Sequence, residues 1–596
     1  MRRTPSRVAP ALLMLAALSA VSGRFVAAAS PRAAGDGDEI VPEREAIGVN
    51  RERPQYFRFR GRDVLLLGGS KEDNLFQIPD LTAHLDELAA VGGNYVRCTM
   101  SSRDEGNVWP FHFDEAKGAY DLDRWNEEYW SRFARLLEEA DRRRVVVQVE
   151  LWATFDFYRE PWRQNPFNPR RNLNYTAERT RLPESVPTHP TWCENRFFWS
   201  MPHHDNNMPV LAYQQRFVDR LLEHTLRHGN VLYCMDNETS VTAEWGRFWA
   251  SYVKKRAREE GRSVLTTEMW DPWDLGHVAH RETFDHPELY DFVEISQNNH
   301  QRGQAHWDNG RRQLERLRKA EKRRPVTNVK TYGADGGRHG GDTDEAVAKF
   351  VRSAFFGSAA VRFHRPPSGI GLSAPAKSTI RGLHELSERM AFLDAAPHDE
   401  LLGSREPNEA YCRARPGREY AVYFPDGGSV TLDLAALAGP ARVSWLELLA
   451  GRWSESLPIE AAGASARLEA PGRGHWIALV TSAPGEASEP VRAEPLFLAT
   501  DTESVYTYAV SVNMILSLDD RLLERARQLA TRRGISLNQM IRDYLAEITG
   551  EPSAEELLAE LDSLWAQSRG HSRGWHFNRR DLRPRPRTGF AGRHRS

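Results

Sequence analysis

The stretch Val231-Leu232-Tyr233-Cys234-Met235-Asp236-Asn237-Glu238 runs apolar for five residues and then ends in two carboxyls and a carboxamide. A buried strand interior does not tolerate unpaired carboxylates, so these groups belong where a strand opens into a loop. Other apolar runs end in the same way. One offers Glu150, Trp152 and Asp156, another Glu268, Trp270 and Asp271, and a third Gln297, Asn298, Asn299 and His300. Lys330 and Tyr332 close a further run, as do Arg362 and His364. Carboxyls can move protons, amides and acids read hydroxyls, and indole or phenol rings stack on the apolar faces of pyranoses, so the combination suits a sugar. His300 and His364 lack a third ligand at metal spacing and read as hydrogen-bonded rim histidines, with no metal and no cofactor implied.

These groups need a scaffold that brings strand ends together. Short β-branched or apolar runs recur at 64–67, 95–100, 145–151, 231–235, 264–269, 292–296, 326–330 and 360–364, and amphipathic helical stretches lie between them, as at 81–91, 125–142, 213–228 and 245–260. Eight strands alternating with helices predict an α/β fold, a (β/α)8 TIM barrel over 56–395. In such a barrel, chemistry gathers at the C-terminal ends of the strands. The insert at 154–209, rich in Trp, Asn, Pro and His, follows the third strand and is expected to shape a cleft.

At 596 residues the chain exceeds one core, and a net charge of −2 gives no overall bias toward nucleic acid or membrane. Residues 1–29 combine Arg2, Arg3 and Arg7, a short apolar stretch and small residues, the pattern of a signal peptide, which predicts a secreted or periplasmic protein with no retained membrane anchor. A flexible leader is expected at 30–55. Short strands separated by Gly and Pro turns predict a small all-β sandwich at 396–482, followed by a linker at 483–505. Residues 506–582 read as a strand and two helices, too small to fold alone, which predicts a homodimer through 512–549. The tail at 583–596 is basic: from Arg569 onward there are nine arginines against one acid. Cys98, Cys193, Cys234 and Cys412 have no metal spacing and read as free thiols, with a bridge from Cys98 to Cys193 or Cys234 as the alternative.

The Asn237-Glu238 pair at the fourth strand end resembles the motif of the large clan of (β/α)8 glycoside hydrolases, and Arg97 resembles the arginine those enzymes place beside their nucleophile. The segment with Val443-Ser444-Trp445 and Gly451 is similar to the β-domain trailing secreted barrels of the apiosidase-like kind, which often carries a collagen-binding label. The resemblance implies Glu238 as general acid/base and Asn237 as a ligand of the substrate 2-hydroxyl. It also implies a carboxylate at the end of the seventh strand, where this chain has Lys330, and a lysine cannot form the glycosyl intermediate. Glu268 is the first substitute as base or nucleophile, with Asp271, Asp236 and Asp335 behind it. Lys330 reads as a buried counter-ion or a group that tunes a nearby carboxylate. Arg97, Trp152, Asp236, Trp270, Asp271, Asn298, His300, Lys330, Tyr332 and His364 join Asn237 as expected substrate contacts.

Asp519-Asp520, Leu522-Leu523, Ala526-Arg527 and Gly534-Ile535-Ser536-Leu537-Asn538 resemble the ribbon-helix-helix antitoxins. That resemblance implies Asn513, Ile515 and Ser517 facing DNA bases, with a cognate toxin as a further partner. It conflicts with export. Three functions therefore stand side by side: a secreted enzyme hydrolysing O-glycosidic bonds of a carbohydrate, a non-hydrolytic glycan-binding barrel, and a DNA-binding dimer fused to the barrel.

Overall fold

The computed structural model describes residues 45–333, 341–459, 461–462 and 464–482. The chain divides into two units, Met1–Glu489 and Pro490–Ser596, and all described residues lie in the first. The expected signal peptide at 1–29, the antitoxin-like module at 506–582 with Asn513, Ile515 and Ser517, and Asp335 lie outside the described residues.

Eight parallel strands form one sheet: β1 (Leu66–Gly69), β2 (Tyr95–Thr99), β3 (Val146–Trp152), β4 (Val231–Asp236), β5 (Thr266–Thr267), β6 (Val293–Glu294), β7 (Val326–Thr331) and β8 (Ala360–Phe363). Their order is β5-β4-β3-β2-β1-β8-β7-β6, the cyclic order of a TIM barrel. The seam between β5 and β6 is held by Asp291 N–H donating to the Thr266 carbonyl at 2.8 Å and by the Thr267 hydroxyl donating to the Phe292 carbonyl at 2.7 Å. The two shortest strands thus meet where a hydroxyl completes the ladder. The expected first strand at 64–67 is displaced, because Arg62–Val64 belongs to a hairpin with Phe57–Phe59 and the barrel strand starts two residues later.

Eight helices cover the sheet: α1 (Leu81–Ala89), α2 (Glu127–Arg142), α3 (Met208–Thr225), α4 (Ala243–Glu259), α5 (Val278–Asp285), α6 (Gly303–Lys319), α7 (Thr343–Phe356) and α8 (Ala374–Arg389). Their boundaries follow local chemistry. Asn126 caps α2 by accepting from Glu128 N–H, and Asp342 caps α7 by accepting from Glu345 N–H. Gly357 ends α7 at φ 110°, a conformation that favours glycine. Part of the expected leader is structured: Gly48–Val49 pairs with Phe57–Phe59, and Tyr56, Phe57 and Phe59 pack with Leu66, Tyr95, Val146, Leu232 and Phe292 as one core.

The insert after β3 is built from its own composition. Trp152, Phe157, Phe167 and Phe197 pack against Trp245 and Trp249 of α4. Its asparagines satisfy loop carbonyls, as when Asn168 donates to Trp162 and Glu184 and Asn172 donates to Pro166 and Asn168. Beyond the barrel, two antiparallel sheets share a second core that includes Leu402, Cys412, Val422, Val430, Leu432 and Val480. Helix α7 is buried from Ala346 to Phe356, with the barrel on one side and the β-rich domain on the other. Arg413 clamps that contact, donating to the Phe355 and Phe392 carbonyls, and Trp307 lies 4.5 Å from Tyr411, ring to ring. The four cysteines are free thiols.

Candidate active site

Strand β4 delivers Asp236, and Asn237 N–H continues the pairing by donating to the Trp152 carbonyl at 3.0 Å. At Glu238 the backbone turns to φ 55°. A non-glycine residue in this left-handed region costs about 1–2 kcal/mol, and such strain collects where a side chain must be aimed. The turn directs the carboxylate across the strand ends to β7, where Glu238 Oε1 accepts from Lys330 Nζ at 2.8 Å and from the Tyr332 hydroxyl at 3.0 Å. Lys330 Nζ also donates to Asn237 Oδ1 at 2.6 Å, and Arg97 Nη2 donates to that same oxygen at 2.6 Å.

Below this layer Arg97 is fully buried and neutralised from two sides. It grips Glu150 with two bonds of 2.6 and 2.7 Å and donates to Asp73 Oδ1 at 2.6 Å. Asp73 also accepts from Arg365 Nε at 3.0 Å and lies 3.5 Å from His364 Nδ1. Burial raises the Asp73 pKa, but Arg97, His364, Arg362 and Arg365 outweigh it and hold the acid well below its ordinary value. The same contest sets Glu238. Burial pushes it up, while Lys330 and then Arg97 pull it down to about 2. Lys330 shifts the other way: burial lowers it from the ordinary lysine value, with Glu238 opposing.

A second carboxyl joins Glu238. Past their strands, the segments after β4 and β5 run on side by side: Thr239 N–H donates to the Met269 carbonyl at 2.8 Å, and Asp271 N–H donates to the Thr239 carbonyl at 2.9 Å. The Ser240 hydroxyl stands 3.5 Å from Asp271 Oδ2. Burial and then the Glu238 carboxylate raise Asp271 to about 6. The mouth therefore holds one carboxyl kept ionised beside one that retains its proton into mildly acidic solution. Rings border the pair: Tyr332 lies 4.8 Å from His364 and 6.4 Å from His300, which is exposed.

Glu238, Asn237, Asp271, Lys330, Tyr332, His364 and His300 thus share one mouth, with Arg97 beneath them. Five expected residues do not join them. Glu268 turns behind the sheet, where Oε1 accepts from Asp236 N–H and Met269 N–H, both at 3.0 Å. A Cβ placed on Gly246 of α4 would meet Glu268 Oε2 at 2.6 Å, which shows the acid wedged between strand and helix. Burial, reinforced by Asp236, raises Glu268 well above the carboxylate range. Asp236 accepts from Trp245 Nε1 at 2.6 Å and from the Thr154 hydroxyl at 3.1 Å, and burial lifts it to about 8. Trp152 and Trp270 are buried, and Asn298 is spent on the His306 carbonyl and the Asn309 amide. Sequence reasoning misses Asp73, because a first strand at 64–67 stops short of it. Its signal was the polar run Ser70-Lys71-Glu72-Asp73 after Gly68-Gly69. Among the described residues no group of three or more His, Cys, Asp or Glu is disposed to hold a metal ion.

No family model matches the chain, and no curated protein matches it. Solved structures do. One is a glycoside hydrolase family 5 protein from Bacteroides vulgatus, 13% identical with a TM-score of 0.51, covering 75% of this chain and 96% of its own. Another, described as a glycoside hydrolase, is 13% identical with a TM-score of 0.52 over 74% of this chain and 98% of its own. At these identities the likeness concerns architecture: the described chain has the (β/α)8 fold of glycoside hydrolases.

Proposed function

We propose that the barrel hydrolyses O-glycosidic bonds of a carbohydrate, with Asp271 as general acid and Glu238 as its ionised partner. The geometry that carries this reading is a pair of carboxyls on the adjoining ends of β4 and β5, where Lys330 Nζ stands 2.8 Å from Glu238 and lowers it, while burial beside that carboxylate raises Asp271. Paired acids whose surroundings push their pKa values apart are what acid-assisted glycosidic cleavage requires. The roles differ from those implied by resemblance. Lys330 holds Glu238 ionised, so Glu238 is unsuited to donate a proton at neutral pH, while Asp271 still carries one in mildly acidic solution. In this reading Asp271 protonates the departing glycosidic oxygen as its bond to the anomeric carbon breaks, and the ionised Glu238 takes the proton of the water whose hydroxyl replaces it. Asn237 and Tyr332 hold sugar hydroxyls, and Lys330 keeps the charge on Glu238. The glycoside hydrolase likeness of the fold and the export signal read at 1–29 are consistent with an exported enzyme.

The test is a hydrolysis screen over diverse polysaccharides, with Asp271→Asn and Glu238→Gln compared on a natural glycan and on a dinitrophenyl glycoside. Loss of glycan cleavage in Asp271→Asn, with recovery on the activated substrate that needs no proton, is the expected result. Full glycan cleavage by Asp271→Asn would remove the acid from the scheme. One observation favours a second reading, a glycan-binding barrel without hydrolysis: Lys330 and Tyr332 both occupy Glu238 Oε1. Binding without products from any glycan would select it.

A further inference from the structure

Indoles are rarely left in water, because burying such a ring is strongly favourable. Among the described tryptophans two are nonetheless largely exposed, Trp192 at 68% and Trp273 at 62%. Both lie on loops that leave the C-terminal ends of strands flanking β4. Trp192 ends the turn Pro190–Trp192 in the insert after β3. It follows His189, which feels the Glu238 charge and packs edge-on to Phe155 at 5.5 Å. Trp273 follows β5, two residues past Asp271, on a loop anchored by a 2.7 Å bond between His280 Nε2 and the Pro272 carbonyl. Since β4 lies between β3 and β5, the two loops leave the strands on either side of the one that carries Glu238.

Their surroundings choose the occupant. Neither indole has a ring partner among the described residues, and their neighbours Thr191, Glu194, Asp274 and His277 are exposed and polar. A protein partner would need a contiguous apolar patch of several hundred Å². A lone ring rimmed by hydroxyl, carboxyl and imidazole groups instead matches a pyranose, whose C–H face stacks while its hydroxyls bond at the edge. We propose that Trp192 and Trp273 are stacking platforms for sugar rings on the two sides of the Glu238–Asp271 pair, so that the substrate is a chain of several sugar units extending through the mouth. This rests on the hydrolytic reading above.

Native gels containing galactomannan, xyloglucan, arabinoxylan or polygalacturonate test it with the full chain bearing Glu238→Gln, which slows turnover. Retardation by at least one polymer is expected. It should weaken about three- to tenfold with Trp192→Ala or Trp273→Ala, return partly with Phe at either position, and vanish in the double variant. With otherwise wild-type protein, either alanine should raise KM for a polymer more than KM for a short aryl glycoside, which reaches fewer sugar sites. Absence of retardation by every polymer, or retardation equal in the double variant, overturns the platforms. The hydrolytic reading fails separately: indole-dependent retardation with no products from wild-type protein removes hydrolysis and leaves the platforms standing.

Discussion

Two pairs of carboxyls stand at the same strand ends, two or three residues apart in sequence, and they have opposite chemistry. Glu238 and Asp271 lie over the mouth, where Lys330 and Arg97 offset burial and keep Glu238 ionised. Asp236 and Glu268 lie behind the sheet, where neither has an ion-pair partner among the described residues and burial leaves both protonated. Side-chain direction decides the difference: Asp236 and Glu238 would share a face in a regular strand, but the backbone turns at Glu238 to φ 55° and carries its side chain to the side of Lys330. One fold thus reserves acid chemistry for one face: the rear pair is spent on Asp236 N–H, Met269 N–H, Trp245 and Thr154, away from the mouth.

The sharpest way to break the comparison is to neutralise one acid from each pair. Glu238→Gln and Asp271→Asn should each lower kcat/KM on a glycan by about 10²–10⁴-fold, the usual contribution of a positioned acid or base. Glu268→Gln should leave it within about threefold, equal to well under 1 kcal/mol. Activity that vanished equally in Glu268→Gln, with the fold intact by circular dichroism, would move the chemistry to the rear pair.

Arg97 is the next point of attack, since it joins Glu150, Asp73 and Asn237 in one buried network. Arg97→Met takes from the buried Glu150 its two-bond partner while Asp73 keeps Arg365, and removing one partner of such a network costs about 3–5 kcal/mol. Urea unfolding should read that loss. A change below about 1 kcal/mol would mean that solvent reaches Glu150 and Asp73.

Much of this arrangement was legible in the residues. Strand–helix alternation predicted all eight strands, and polar residues closing the runs marked the right end of the barrel. Asn237, Glu238, Lys330 and Tyr332 stand out together at the run ends, and Lys330 meets Glu238 as an ion-pair partner at 2.8 Å. What could not be read was the direction in which each acid points. Glu268 and Asp271 share one strand end, and sequence spacing alone does not tell which turns toward β4's carboxylate. That depended on Gly246, whose missing side chain leaves room behind β5 for Glu268. Tryptophans misled for a related reason: Trp152 and Trp270 are core, while the exposed indoles sit in loops that carry no periodicity.

The electrostatics of the mouth predict a pH profile. With Glu238 near 2 and Asp271 near 6, the rate on a glycan should be highest in acidic solution and fall about tenfold per unit as pH rises past about 6, because Asp271 loses the proton it must donate. Lys330→Met should raise both carboxyls, since the ammonium lowers each of them. The acidic limb then becomes visible and the upper limb moves to higher pH. A profile unchanged by Lys330→Met would show that the ammonium does not set these groups.

The smallest effect belongs to the rear pair and concerns stability. In the folded chain Glu268 and Asp236 keep their protons, with Asp236 near 8, whereas in the unfolded chain both ionise in the ordinary carboxylate range. Between those limits the unfolded state binds fewer protons than the folded one, so stability falls as pH rises. The slope from one such group reaches at most about 1.4 kcal/mol per pH unit, and water entering on partial opening will reduce it. Glu268→Gln removes one titrating group and places an amide beside Tyr290, whose hydroxyl lies 2.8 Å from the same Gly246 Cβ position. The variant should match the wild type within about 1 kcal/mol at pH 5 and gain on it progressively at pH 6.5 and 8, read by urea unfolding at each pH. Parallel stability curves would mean that Glu268 is already ionised in the fold, and the contrast between the two pairs would then rest on Asp236 alone.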